Sequence, residues 1–232
     1  MLPLADHNPR RTTPVVNIIL IVVNVLMFFW ELRMQAARVL EPALMSVAFV
    51  PVRFWHAPGA LLPNVITMFV SMFLHGGWLH LGGNMLYLWI FGDNIEDRLG
   101  HGKYLFFYLA CGLLATLAHA AMNPGSDVPS IGASGAIAGV LGAYIVLFPK
   151  QRVTTLIPIF VFITVREIPA VFLLGFWIVM QLFFGAASMG GDLQRSGGVA
   201  YFAHIGGFVA GMVLITLLGG RRAPPRPAYL RR

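Results

Sequence analysis

Long apolar runs separated by short polar stretches dominate this chain, and they leave few folds open. The runs are Val15–Leu32, Trp78–Gly92, Tyr104–Met122, Gly132–Phe148, Ile168–Gly185 and Tyr201–Gly219. A helix needs about 20 mostly apolar residues to cross a bilayer. The second run is short, but apolar Val65–Leu74 precedes it and is available to extend it. Only 11% of the residues are charged and 58% are hydrophobic, against roughly 25% charged in a soluble domain. A water-soluble monomer could not cover its surface with so few polar groups. The expected fold is all-α and polytopic, with six membrane-spanning helices.

The sixteen Lys and Arg exceed the nine Asp and Glu, for a net charge of +7. They lie between the runs and at the chain ends, so they read as topology signals rather than as a nucleic-acid surface. One side collects Arg10, Arg11, Arg98, Lys103, Lys150, Arg152, Arg166 and the arginines of 221–232, leaving Arg33, Arg38, Arg53 and Arg195 on the other. The positive-inside rule then places both termini in the cytoplasm. Residues 1–13 become a cytoplasmic segment, 14–220 the six-helix domain and 221–232 a basic, Pro/Arg-rich cytoplasmic tail that anchors the topology, with contact to anionic lipid as the alternative. No small-residue cleavage site follows the first run, where Trp30, Glu31, Leu32 and Arg33 stand instead, so it reads as an uncleaved helix. The single Cys111 excludes an intramolecular disulfide. Residues 34–76 are too long for a plain loop and predict a partly embedded, short-helical insertion on the outer side. Val153–Val165 is β-branched and broken by Pro158. It reads as an interfacial segment or an extension of the fifth helix.

Polar side chains inside membrane spans are costly, and each is a functional candidate. His75, His80 and Asn84 fall at the start of the second span, Ser134 at the start of the fourth and His204 at the start of the sixth. With the N-terminus inside, these three spans all run inward, so their first turns share one depth near the outer leaflet. At about 1.5 Å rise per residue, Ser134 and His204 lie roughly 3–5 Å below their helix starts. Gly135 and Gly139, like Gly207 and Gly211, are spaced to let two helix backbones approach closely. Such an approach would bring Ser134 and His204 within hydrogen-bond reach.

A serine next to a histidine base supports nucleophilic acyl transfer. The helix start at Ser134 offers free backbone N–H groups for an oxyanion, and His80 and Asn84, four apart on one face, could add side-chain donors. No Asp or Glu falls in the outer half of a span except Glu31, so the arrangement reads as a dyad. His75, His80 and His204 lack the spacing of a zinc site, and neither a metal nor a cofactor is expected. His119 and His101 read as structural or solvated.

These residues carry a resemblance. His75-Gly-Gly-Trp-Leu-His80-Leu-Gly-Gly-Asn84, Gly132-Ala-Ser134-Gly135, Ala203-His204-Ile-Gly206-Gly207 and Glu96-Asp-Arg98-Leu-Gly100, in this order over residues 12–219, resemble the rhomboid intramembrane serine proteases of the bacterial six-helix type. The resemblance implies Ser134 as nucleophile and His204 as general base. It implies an oxyanion hole of His80, Asn84 and the Ser134 N–H, and His75 as a histidine at the active-site rim. Gly132, Gly135, Gly139, Gly207 and Gly211 would be structural, with Glu96 and Arg98 bracing the cytoplasmic helix ends. The loop before Tyr201 would cap the site, and the fifth span would gate it laterally. Substrates would be single-span membrane proteins cut near the outer face of a bacterial inner membrane. Two departures stand out. The first outer loop has Arg53-Phe54-Trp55 in place of a Trp-Arg pair. Ala138 stands where some members carry a Tyr that stacks on the histidine; Tyr144 is too deep to replace it, so the partner is Tyr201 or Phe202 or is absent. A client-binding relative without activity and a transporter are the competing readings.

Overall fold

The computed structural model describes residues 1–56, 61–159, 162–189 and 199–219. Strand β1 (Leu2–Asp6) leads into α1 (Val15–Ala36), followed by three short helices, α2 (Leu40–Val47), α3 (Pro51–His56) and α4 (Leu61–Ser71). The long helices α5 (Trp78–Leu99) and α6 (His101–Met122) come next, then α7 (Ser134–Leu147). Strands β2 (Arg152–Ile159) and β3 (Phe162–Pro169) precede α8 (Ala170–Ser188) and α9 (Tyr201–Leu217). By length and composition, α1, α6 and α8 are each able to cross a membrane, and α7 and α9 are shorter apolar helices. Their outer faces are apolar: Ile19, Leu26 and Phe29 on α1 and Phe172, Phe176 and Phe183 on α8 are exposed. Surfaces of this kind suit lipid rather than water.

The core is built around α7, in which every residue from Gly135 to Tyr144 is buried. It packs mainly against α9, α6 and α5. Small residues let α7 and α9 meet backbone to backbone. Gly207 lies against the Gly135 carbonyl, Gly211 against the Gly139 carbonyl, and Gly142 against the Phe208 carbonyl, so none has room for a Cβ. In a lipid-facing bundle, close packing of this kind replaces the hydrophobic drive between helices.

At the basic end, Glu96 is fully buried and holds the start of α1, which has no cap of its own. Its carboxylate accepts the Val16 and Asn17 N–H groups at 2.9 and 2.7 Å and pairs with His101. A negative charge at a helix N-terminus offsets the helix dipole and satisfies free donors. Arg98 lies over the Phe148 ring, 5.8 Å from its centroid. Gly100, at φ 80°, makes the tight reversal between α5 and α6 that a side chain would strain.

The structure corrects three readings. The fold is mostly helical rather than all-α, because β2 and β3 pair antiparallel and β1 adds a third strand in the order β1-β2-β3. The described residues of Val153–Val165 are therefore strand and not an extension of α8. Their β-branched residues pair directly, with Val153 opposite Ile168 and Ile157 opposite Thr164, which suits a pleated surface better than a helix. Val65–Leu74 does not extend α5 but belongs largely to the separate α4, divided from α5 by a turn. In 34–76 the short helices are tied back to the bundle, with the Trp55 indole N–H donating to the Ala120 carbonyl at 2.9 Å. The loop before residue 199 and the tail 221–232 lie outside the described residues.

Asp6 fastens the sheet to the helices. Its Oδ2 accepts the Tyr144 hydroxyl at 2.7 Å and the Asn94 amide at 2.9 Å. Burial pushes the Asp6 carboxyl up to about 6, against the opposing effect of the Tyr144 hydrogen bond. The folded protein then holds this proton more tightly than the unfolded chain. Between about pH 4 and 6, stability should fall as pH rises, by up to about 2 kcal/mol. Asp6→Asn keeps an acceptor without the charge, so its melting temperature should stay flat across that range while the wild type declines. A parallel decline in the variant would place the pH dependence elsewhere.

Candidate active site

The first turns of α7 and α9 and the start of α5 meet at the end of the bundle opposite the sheet. His204, on α9, is 8% exposed and lies between two partners. Its Nε2 is 2.8 Å from the Ser134 hydroxyl, and its Nδ1 is 2.8 Å from the Gln181 side-chain oxygen on α8. Ser134 is half-buried, so its hydroxyl is reachable while the imidazole is enclosed. The close approach of α7 and α9 sets this distance: Gly207, one turn beyond His204, touches the backbone of Gly135, the neighbour of Ser134.

Ser134 opens α7, and the N–H groups of its first turn have no intrahelical acceptors. Gly132 just before it has φ +131°, a conformation a side chain would strain, and a Cβ there would press on the His80 ring at 2.9 Å. The same close approach sets the His80 ring beside the nucleophile's loop. The Gly76 N–H donates to His80 Nδ1 at 3.3 Å. This bond leaves Nε2 as the ring's donor, on the side toward Gly132. Asn84, one turn further along α5, is buried, and its amide Nδ2 has no acceptor among the described residues.

His75 is more deeply placed than a rim position implies, at 3% exposure. Its backbone N–H donates to both Glu31 oxygens at 2.9 and 3.1 Å, and its ring meets His80 edge-on with centroids 5.1 Å apart. Glu31 therefore braces the turn before α5 and does not contact His204. Behind Ser134 lies a cavity of about 20 Å³ lined in part by Ser71, Thr116 and Ser130, enough for one water molecule. Among the described residues no three His, Cys, Asp or Glu side chains converge on a metal position.

Two residues here escaped the sequence reading. Trp177 packs its ring 5.6 Å from His204, tilted by 37°, in the place where Tyr201 and Phe202 were the candidates. Tyr201 instead stacks on Phe184. Gln181 is four residues beyond Trp177 on the same face of α8 and is a polar interruption in an apolar run. That interruption is the signal that marks it.

A family model described as Rhomboid domain matches residues 63–221. Similar curated proteins include the Rhomboid protein 1, mitochondrial, of Saccharomyces cerevisiae, 34% identical over 152 residues, which are 64% of this chain and 40% of that protein. The Rhomboid protease GluP of Bacillus subtilis is 35% identical over 146 residues, 63% of this chain and 24% of its own length. The human Presenilin-associated rhomboid-like protein, mitochondrial, is 31% identical over 132 residues, 54% of this chain and 35% of that one. The chain thus spans between a quarter and two fifths of the length of these relatives.

Proposed function

This chain belongs to the rhomboid family of multi-pass integral membrane proteins, and on that footing we propose that it is a serine endopeptidase that cleaves transmembrane segments of other membrane proteins. The single observation that carries the proposal is the 2.8 Å contact between the Ser134 hydroxyl and His204 Nε2, assembled from two distant helices. Ser134 Oγ attacks the scissile carbonyl as His204 Nε2 takes its proton. The tetrahedral oxyanion is held by the Ser134 N–H, the His80 Nε2–H and the Asn84 amide, donors with no other acceptor among the described residues. His204 then returns the proton to the leaving amine, and an acyl-enzyme remains on Ser134. Water, for which the cavity beside Ser134 has room, attacks the ester as His204 takes its proton, and His204 returns that proton to Ser134 Oγ as the ester C–O bond breaks and the acid product leaves. No group in this cycle needs a metal or cofactor.

In this reading six helices span the bilayer: α1, α5, α6, α7, α8 and α9. Both termini lie in the cytoplasm, and the site opens toward the outer face of a bacterial inner membrane. The substrate is a single-span protein cut near that face. His75 shapes the rim through the His80 ring, and α8 forms the lateral wall next to His204.

A fluorophosphonate probe reads the nucleophile directly. Purified wild type should form a covalent adduct, and Ser134→Ala should form none while melting at the wild-type temperature. A folded wild type that stays unlabelled, and that leaves a transmembrane substrate intact in liposomes, would favour a client-binding role over cleavage.

A further inference from the structure

The Nδ1 side of His204 is the part of the site that nucleophile, base and oxyanion donors leave unexplained. A histidine that accepts the Ser134 proton at Nε2 must carry its own proton on Nδ1, and a buried Nδ1–H needs an acceptor. Among the described residues no carboxylate is hydrogen-bonded to it: Glu31 is engaged with the turn at His75. Gln181 presents its side-chain oxygen at 2.8 Å, and Trp177, one turn earlier on α8, lies beside the same ring at 5.6 Å.

We propose that Gln181 is the positioning residue of the site: it accepts the Nδ1–H of His204, selects the tautomer with Nε2 free for Ser134, and with Trp177 fixes the plane of the imidazole. The inference rests on the hydrolase reading and adds a third member to its dyad. A side-chain amide orients and selects a tautomer as a carboxylate does, but without the charge that stabilises an imidazolium. The acceptor is carried by α8, while base and nucleophile are on α9 and α7. The position of α8 therefore controls whether the base is in its working form, and a displacement of this helix from α9 would uncouple it.

The test uses Gln181→Met, which keeps length and bulk but has no comparable acceptor, and Gln181→Glu, which keeps an oxygen at the same reach. Histidine labelled with nitrogen-15 reports which ring nitrogen of His204 bears the proton, independently of any activity, once His204→Gln has assigned the signal. Wild type should show protonated Nδ1 and bare Nε2. Gln181→Met should lose that pattern and react with fluorophosphonate about 10²-fold more slowly, at an unchanged melting temperature. Gln181→Glu should recover most of the tautomer preference and most of the rate. A Gln181→Met protein with the wild-type nitrogen-15 pattern, or one that labels as fast as wild type, overturns the proposal. An unreactive wild type would instead count against the hydrolase reading, and the nitrogen-15 comparison would still decide the role of Gln181.

Discussion

His204→Ala should lower cleavage of a transmembrane substrate in liposomes by about 10³-fold or more, while the protein remains folded. A serine hydroxyl is almost wholly protonated at neutral pH, so its attack depends on a base in contact with it. Among the described residues His204 is the one hydrogen-bond partner of Ser134 Oγ. The nearby imidazole of His80 offers no substitute, because its Nδ1 already accepts the Gly76 N–H. His75 is buried with its ring against His80, not against Ser134. Serine and base act as one unit, so Ser134→Ala combined with His204→Ala should cost little more than either alone. Residual cleavage within tenfold of wild type in His204→Ala would remove His204 from the role of base. Additive losses in the double variant would show the two acting separately.

The site was legible where chemistry coincided with helix starts. Ser134 and His204 begin α7 and α9, and His80 and Asn84 lie in the first two turns of α5. Alternating chain direction explains how these helix starts come to share one layer. The same alternation explains the omissions. The antiparallel neighbours reach this layer through their C-terminal halves, and they deliver Glu31 from α1, His119 from α6 and Gln181 from α8. Looking for polar residues at helix starts passes over Gln181, although a glutamine within an apolar span is as costly as a histidine; Glu31 and His119 are visible in the sequence, but without a link to the base. Trp177 was hidden for another reason: an aromatic residue in a lipid-facing helix is ordinary until the neighbour it covers is known.

The sheet was hidden by distance along the chain. Hairpin β2–β3 is local and betrays itself in β-branched residues, but the strand that completes it comes from residues 2–6 at the other end of the sequence. Pairings so remote leave no mark in local periodicity. Hydropathy alone then assigns the segment to the membrane interface. The glycine spacing was more informative. Four-residue spacing in two runs implied a close helix pair, and α7 and α9 do meet at those glycines. Gly142 extends the same contact past the spaced pair, against the Phe208 carbonyl.

Gly211→Ala should destabilise the protein by about 2–4 kcal/mol, and Gly211→Leu should leave little folded protein to purify. A Cβ at Gly211 would overlap the carbonyl oxygen, carbonyl carbon and Cα of Gly139. These are backbone atoms inside a helix, so no rotamer change relieves the clash and the two helices must separate. Gly175 on α8 is the control, since a Cβ there meets nothing within 4 Å. Gly175→Ala should be neutral or stabilising by up to about 1 kcal/mol, because alanine is the better helix former. Separation of α7 from α9 has a chemical consequence as well. The 2.8 Å Ser134–His204 contact spans these same two helices, and a shift of about 1 Å takes it beyond hydrogen-bond range. Gly211→Ala protein that still folds should therefore react with fluorophosphonate at least 10²-fold more slowly, although the mutated residue lies two turns from the base. A melting temperature and labelling rate equal to those of Gly175→Ala would mean that the α7–α9 contact yields without cost, and that something other than glycine packing holds serine and histidine together.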